Sequence, residues 1–383
     1  MFNYLMRREV LCSIFLQVGL SFFLAHGYDF RVNYLAGKNI VSGLSPYEGG
    51  YIGGPLSAGY DSYVQGIGET PIWALFTGLV YLVSFGDIFL FNIILKIPII
   101  MANIALSYLV MKRGGDYLFF LYNPYLLLVS SIWGKPDNVA VLLAIISIAP
   151  LDRWYGSLTF ASSLMIKPLA ISITPSVFAA WWEKRKRIFF TFATTASMFL
   201  APFILLGWKL ETVVYGFLNW FKPVGGISPF NFVEAIYGVS TLPQWLEFVS
   251  YLSAVAIVVM ILLAVKRPPA NVIGVFKLGL VSASLFLSLR PWVSEQNLLI
   301  ILSLFIMVCG RLPTRMLWIA PLVFAGFNLS IPQQLYLLYP PVIEGLAVLN
   351  HPIRLWLKFA TSITWLAVLW TTLIRKDLWR WWV

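Results

Sequence analysis

Lys135, Lys167 and Arg290 are each followed at once by proline. With Asp29, which closes the first long apolar run, they are the residues best placed to do chemistry. A carboxylate can take the proton of an attacking hydroxyl, and fixed cations can hold a phosphate as charge develops on it. The combination suits transfer of a group from a phosphate-linked donor, with Asp29 as general base and Lys135, Lys167 and Arg290 on the phosphate. Arg31, Glu69, Asp137, Glu295 and Gln296 share the same polar stretches and are further candidates for donor and substrate contacts. Proline after each cation implies irregular backbone, which at membrane depth is tolerated where it lines a cavity. Plainer roles compete. Asp29 could cap a helix starting near Phe30, Lys135 could pair locally with Asp137, and Arg290 with Glu295 across a turn. Lys167 lies between apolar runs, where an unpaired lysine is costly, so function is favoured there. His26 reads as an interfacial side chain, and Lys96 as a residue that snorkels or pairs inside the bundle.

The elements that must position these groups follow from composition. Of 383 residues 60% are hydrophobic and 11% charged, too apolar for a soluble protein to cover its core. The class is an all-α polytopic integral membrane protein. The net charge of +11 then reflects basic loops facing anionic lipid rather than nucleic-acid binding. Cys12 and Cys309 both sit in apolar runs, which argues against a disulfide framework or a thiolate metal site. There is no His-rich metal pattern, so the residues alone nominate no metal ligands. Nor is there a glycine loop for a nucleotide, so a sugar donor would have to come from the membrane. The run Val10–Ala25 follows Arg7-Arg8 and reads as a retained helix rather than a signal peptide.

A bilayer crossing needs about 20 apolar residues. Spans are expected near 9–26, 88–111, 117–133, 138–150, 156–166, 169–182, 188–207, 244–265, 272–289, 292–309, 314–330 and 353–374. That makes about twelve crossings, in the range 11–13. Residues 71–84 are apolar but short, and charge decides against a crossing there. With 71–84 in the interface, sixteen of the 27 Lys/Arg fall at one set of loop ends, accompanied by five of the 16 acids. The positive-inside rule makes that side cytoplasmic and places both termini on it. The candidate residues all fall on the other face. A large first outer loop, 27–87, would carry interfacial helices. Residues 1–240 would form the catalytic module, and 241–383 the helices completing a cavity for lipid and acceptor.

With these residues in place, the chain resembles the catalytic subunit family of GPI mannosyltransferase I, in the GT-C superfamily of polyprenyl-phosphate-sugar-dependent transferases. Asp29-Phe30-Arg31-Val32, Ala36 and Gly43-Leu44-Ser45-Pro46-Tyr47 resemble that family's first luminal loop. Thr70-Pro71, Tyr122-Asn123-Pro124, Val129-Ser130-Ser131 and Gly134-x-x-Asp137 resemble its following segments, in order. Lys167 with Pro175, Ser228-Pro229-Phe230 and Ser294-Glu295-Gln296 continue the likeness to about residue 305. The resemblance implies a GT-C fold, a dolichyl- or polyprenyl-phosphate mannose donor, and a lipid-linked or glycolipid acceptor on the non-cytoplasmic face. A small accessory membrane subunit is compatible with it. Asp29 matches the second acid of the family's Asp-x-Asp motif, and Gly27 replaces the first. That replacement removes half of any carboxylate pair that would chelate a divalent metal and leaves the single base intact. The compact loops suit a prokaryotic or archaeal plasma membrane; a eukaryotic chain would sit in the endoplasmic reticulum. Two other readings remain: a flippase for a lipid-linked sugar, which would carry inverted halves with matching broken helices, and a noncatalytic subunit of a transferase complex.

Overall fold

The apolar stretches fold as helices whose starts are marked by short capping signals. Asp87 opens the helix Ile88–Lys112 by accepting the Leu90 amide at 2.8 Å. Asn123 accepts the amides of Tyr125 and Leu126 ahead of Pro124, and Asn271 accepts that of Gly274 at 2.9 Å. Such side chains satisfy amides that a helix start leaves bare. The computed structural model describes residues 2–52, 62–148, 155–219, 223–328, 334–338 and 352–382. Arg153, Glu344 and His351 lie outside the described residues. Among the described residues the architecture is all-α apart from two small strand pairs. Gly50–Ile52 runs antiparallel to Ser62–Val64, and Gly225–Gly226 runs parallel to Trp292–Val293.

Among the described residues, four helices are long and apolar enough to cross a membrane: Ile88–Lys112, Arg185–Leu206, Gln244–Lys266 and Pro352–Arg375. A fifth is available if Pro124–Ile132 and Asp137–Ile148, bent by 109° at their break, count as one span. The remaining expected crossings correspond to shorter helices or fall apart. Residues 117–133 divide into Phe119–Tyr122, Pro124–Leu127 and a π-turn at Leu128–Ile132. Residues 292–309 begin as a strand and a 3₁₀ turn before the helix Leu299–Cys309. The reason is local: the first stops just short of Lys135, and the second starts only after the strand and turn that follow Arg290-Pro291. The helix Tyr155–Ile166 likewise stops one residue before Lys167.

The stretch that was ambiguous by length is the helix Pro71–Val83, with Pro71 in its first turn. At 1.5 Å per residue its 13 residues reach about 20 Å, short of a ~30 Å hydrocarbon core. It lies along the helix Gly27–Val41 at close range. A Cβ on Gly37 would meet the Thr77 carbonyl oxygen at 2.6 Å, and one on Gly78 would meet Ile40 Cγ2 at 2.7 Å. One large apolar cluster runs from Leu106 to Leu378, across residue 240, with Tyr125, Phe276, Phe305 and Trp365 inside it. A second packs Phe30, Trp73, Phe91 and Leu95 around the Gly27–Val41 helix.

The helix Ile88–Lys112 carries a polar stripe of Asn92, Lys96 and Asn103, all buried. Lys96 does not snorkel, and among the described residues no carboxylate lies within ion-pair distance of it. Its ammonium donates to Leu24 O at 2.7 Å and Ile132 O at 2.8 Å, the bare carbonyl ends of two helices. Asn92 donates to Ser21 O and Leu24 O beside it. Lys96 therefore ties the segment before Asp29 to the segment before Lys135. Replacing Lys96 with Met leaves Ile132 O without this donor and Leu24 O with only the 3.3 Å bond from Asn92, and a buried carbonyl left unmet costs about 1–3 kcal/mol. Detergent-solubilised Lys96→Met should unfold at a clearly lower temperature than wild type, as read by intrinsic tryptophan fluorescence.

Candidate functional site

Asp29 lies in the first turn of the helix Gly27–Val41, where its charge complements the helix dipole. The helix begins three residues earlier than the capping alternative required, and His26, not Asp29, stands at its cap position. His26 Nδ1 lies 2.8 Å from Asp29 Oδ2 and 3.3 Å from the Asp29 amide nitrogen. One nitrogen cannot donate to the carboxylate and accept from the amide together. The shorter contact, to a charged group, decides in favour of Nδ1–H donating to Oδ2. His26 is thus a buried partner of Asp29, packed on Trp133 with ring centroids 5.3 Å apart, rather than an interfacial side chain.

Lys135 reaches the other oxygen of Asp29. Its Nζ lies 2.7 Å from Asp29 Oδ1 and 3.6 Å from Glu69 Oε1. Gly134 makes this turn at φ +74, a left-handed conformation, and a Cβ there would press on Lys96 Cε at 3.0 Å. Glu69 is held beside the lysine by its neighbour, because Thr70 Oγ1 donates to Met165 O. Burial would raise the Asp29 carboxyl, but the charge of Lys135 and the contact with His26 outweigh it and hold the group well below the usual carboxylate range. Burial would lower Lys135, and Asp29 and Glu69 overcome it, keeping the ammonium well above the usual lysine value.

Lys167 is also paired. Pro168 disfavours a helical Lys167, whose backbone is extended at φ −152 and ψ 131. Its Nζ meets Asp137 Oδ2 at 2.7 Å. Asp137 is fully buried in the first turn of Asp137–Ile148, and Asn297 Nδ2 donates to its other oxygen at 3.1 Å. The local alternative for Lys135, pairing with Asp137, is replaced by these two crossed pairs.

Arg290 differs from both lysines. Among the described residues no carboxylate lies within ion-pair distance of it; its guanidinium sits over Phe286, 5.4 Å from the ring centroid. The turn pairing with Glu295 does not form. Low-polarity surroundings push Arg290 down to about 10, which still leaves it charged at neutral pH. Its backbone is fixed from the Gly225–Ser228 segment. Ser228 Oγ donates to Arg290 O at 2.8 Å, and the Gly225 and Ile227 amides donate to Pro291 O and Val293 O.

Asp29, Glu69, Lys135, Lys167, Arg290 and Gln296 line one cavity of about 380 Å³, together with Tyr28, Gln65, Trp292, Ser294 and Asn297. This volume lies within the ~300–1,000 Å³ typical of small-molecule sites. Three nominated residues do not line it. Arg31 is two residues from Asp29 on a helix and so points elsewhere; its Nε donates to Gly27 O at 3.2 Å and its guanidinium faces the Tyr336 ring. Asp137 lies behind Lys167. Glu295 is buried, and its carbonyl accepts from Tyr125 OH. His26, Tyr28 and Asn297 were not nominated. His26 carried a readable signal, since it stands three residues before Asp29 and hence one helical turn back. Asn297 and Tyr28 carried none beyond adjacency to Gln296 and Asp29. Burial, with Asp29 beside it, pushes the Tyr28 phenol up to about 12, so it stays a neutral hydrogen-bonding group.

No protein-family model matches this chain, and no curated protein matches it. The functional reading therefore rests on the cavity and its charges. Asp137 also provides a test of how the cavity wall is held. Lys167→Met would leave its carboxylate buried and unpaired, at a cost of about 3–5 kcal/mol. Adding Asp137→Asn should restore more than half of the lost stability, measured by thermal unfolding of the purified variants.

Proposed function

We propose that the protein is an integral-membrane inverting glycosyltransferase of the GT-C type, most simply a mannosyltransferase. The single observation that carries this reading is that Asp29 opens on the same cavity as Lys135, Lys167 and Arg290. The donor would be a polyprenyl-phosphate sugar and the acceptor a lipid-linked or glycolipid hydroxyl. The basic loop ends favour cytoplasmic termini and a cavity on the opposite face. A second cavity of about 240 Å³ supports a lipid donor: Ile171, Thr174, Val177 and Trp181 contribute to its largely apolar lining. They belong to the segment Pro168–Trp181, whose first residues, Pro168 and Leu169, line the polar cavity. A prenyl chain could follow that segment while its phosphate stays among the cations.

In the proposed step the acceptor hydroxyl gives its proton to Asp29, and its oxygen attacks the anomeric carbon from the face opposite the phosphate. The bond from that carbon to the phosphate oxygen breaks, and the electron pair leaves with the polyprenyl phosphate. Arg290, the cation without a carboxylate partner among the described residues, is best suited to take up the added negative charge. A carboxylate held as acidic as Asp29 is a poor base. Donor binding corrects this, because the phosphate competes for Lys135 and so returns basicity to Asp29.

The test is transfer of labelled mannose from dolichyl-phosphate mannose into lipid extract, by purified wild type and Asp29→Asn. Wild type should form a labelled glycolipid and Asp29→Asn at least a hundredfold less, with donor binding retained. Comparable turnover by Asp29→Asn would remove Asp29 from the mechanism. Movement of donor between leaflets without transfer would instead support the flippase reading. The base acts only when ionised, so activity is lost as pH falls through its depressed value. The acid limb of kcat/KM should therefore lie below 3.8, the ordinary aspartate value. In Lys135→Ala burial becomes the larger influence, and the limb should move upward.

A further inference from the structure

We propose that the Lys135 ammonium is the built-in cation of this site, filling the seat between Asp29 and Glu69 that a divalent metal would take. The part of this proposal that concerns phosphate rests on the transferase reading; the seat itself rests on geometry.

The resemblance to Asp-x-Asp enzymes raises a divalent ion as a candidate, and the donor groups of this chain can be tested against one. Mg²⁺ and Mn²⁺ take oxygen ligands, and Mg²⁺ holds them at about 2.0–2.1 Å. Asp29 Oδ1 is engaged by an ammonium at 2.7 Å, and Glu69 Oε1 lies 3.6 Å from the same nitrogen. An ammonium has donors only and no lone pair, so Lys135 cannot be a ligand while it occupies the place of one. The remaining oxygen of Asp29 is engaged by His26. The next carboxylate, Asp137, is turned away behind Lys167 and Asn297. Among the described residues, no three His, Cys, Asp or Glu side chains gather as a metal would need. Gly27 replaces the first acid of the Asp-x-Asp pattern. The groups therefore fit an ammonium and do not fit a divalent ion.

A tethered ammonium also supplies what a metal would have supplied. It lessens the repulsion between two converging carboxylates while they wait, and it is a compact point charge able to grip a phosphate oxygen. It lies on the flexible stem of Lys135, between Gly134 and Pro136, and its side chain is 13% exposed toward the cavity. Moving that charge from Asp29 to a phosphate needs no exchange with solvent ions.

The experiment is a Mn²⁺ titration of the purified full chain in detergent, followed by electron paramagnetic resonance. Wild type and Asp29→Asn should bind Mn²⁺ equally weakly. Lys135→Ala vacates the seat and should gain one equivalent at least tenfold tighter than any in wild type. Lys135→Ala combined with Asp29→Asn should lose that equivalent again. An equivalent bound by wild type and abolished in Asp29→Asn would overturn the proposal. So would a monodisperse Lys135→Ala that gains none. Should Lys135→Ala fail to fold, the comparison of wild type with Asp29→Asn decides by itself. In the transfer assay, excess chelator should leave wild-type rates unchanged, and a tenfold loss restored by Mg²⁺ or Mn²⁺ would likewise overturn it. Absence of sugar transfer under every condition would count against the transferase reading alone, because the titration needs no substrate.

Discussion

Helices that reach the cavity end there, and the backbone groups they leave bare have to be met by side chains. In apolar surroundings water cannot meet them, and each unmet group is costly. Lys96 answers for Leu24 and Ile132, Asn92 for Ser21 and Leu24, Asn123 for Tyr125 and Leu126. The consequence is that the polar residues inside this bundle are mostly structural, and they carry the segments bearing Asp29 and Lys135. The same requirement explains why the chain departs from a set of full-length spans. Broken helices create a wet cavity at the cost of intrahelical bonds, and the buried asparagines and lysine restore those bonds one by one.

The charges follow a second rule, that a buried charge needs a partner. Asp29 pairs with Lys135 and Asp137 with Lys167, and both lysines reach the cavity surface. The two pairs are not equivalent. Asp137 is sealed from the cavity, so its lysine is held from behind, while Asp29 shares the cavity with its own partner. Of the two, only the Asp29–Lys135 pair has both partners open to the cavity. Arg290 lies on the same cavity outside both pairs.

Much of this was legible in the sequence. Composition alone determined a multi-helix membrane protein, because no soluble packing hides so many apolar side chains. The proline after each of three cations marked breaks in the helices, and those breaks are where the cavity lies. Asp29, Glu69, Lys135, Lys167, Arg290 and Gln296 were nominated from residue type and sidedness, and they share one cavity.

What the sequence could not determine was partnership. Whether Lys135 meets Asp137 two residues away or Asp29 more than a hundred residues away depends on how the Gly134 turn sits against the Gly27–Val41 helix. Side-chain direction on a helix, not proximity in the chain, sent Arg31 away from the cavity while Asp29 faced it. Asn297 and Lys96 gained their roles only when distant helices came together, since each acts on groups from another part of the chain. Residue chemistry and hydrophobic runs are local properties and can be read along the chain. The pairing of charges is a property of packing, and tertiary structure alone decided that Lys135 and Lys167 are held by carboxylates while Arg290, among the described residues, is not.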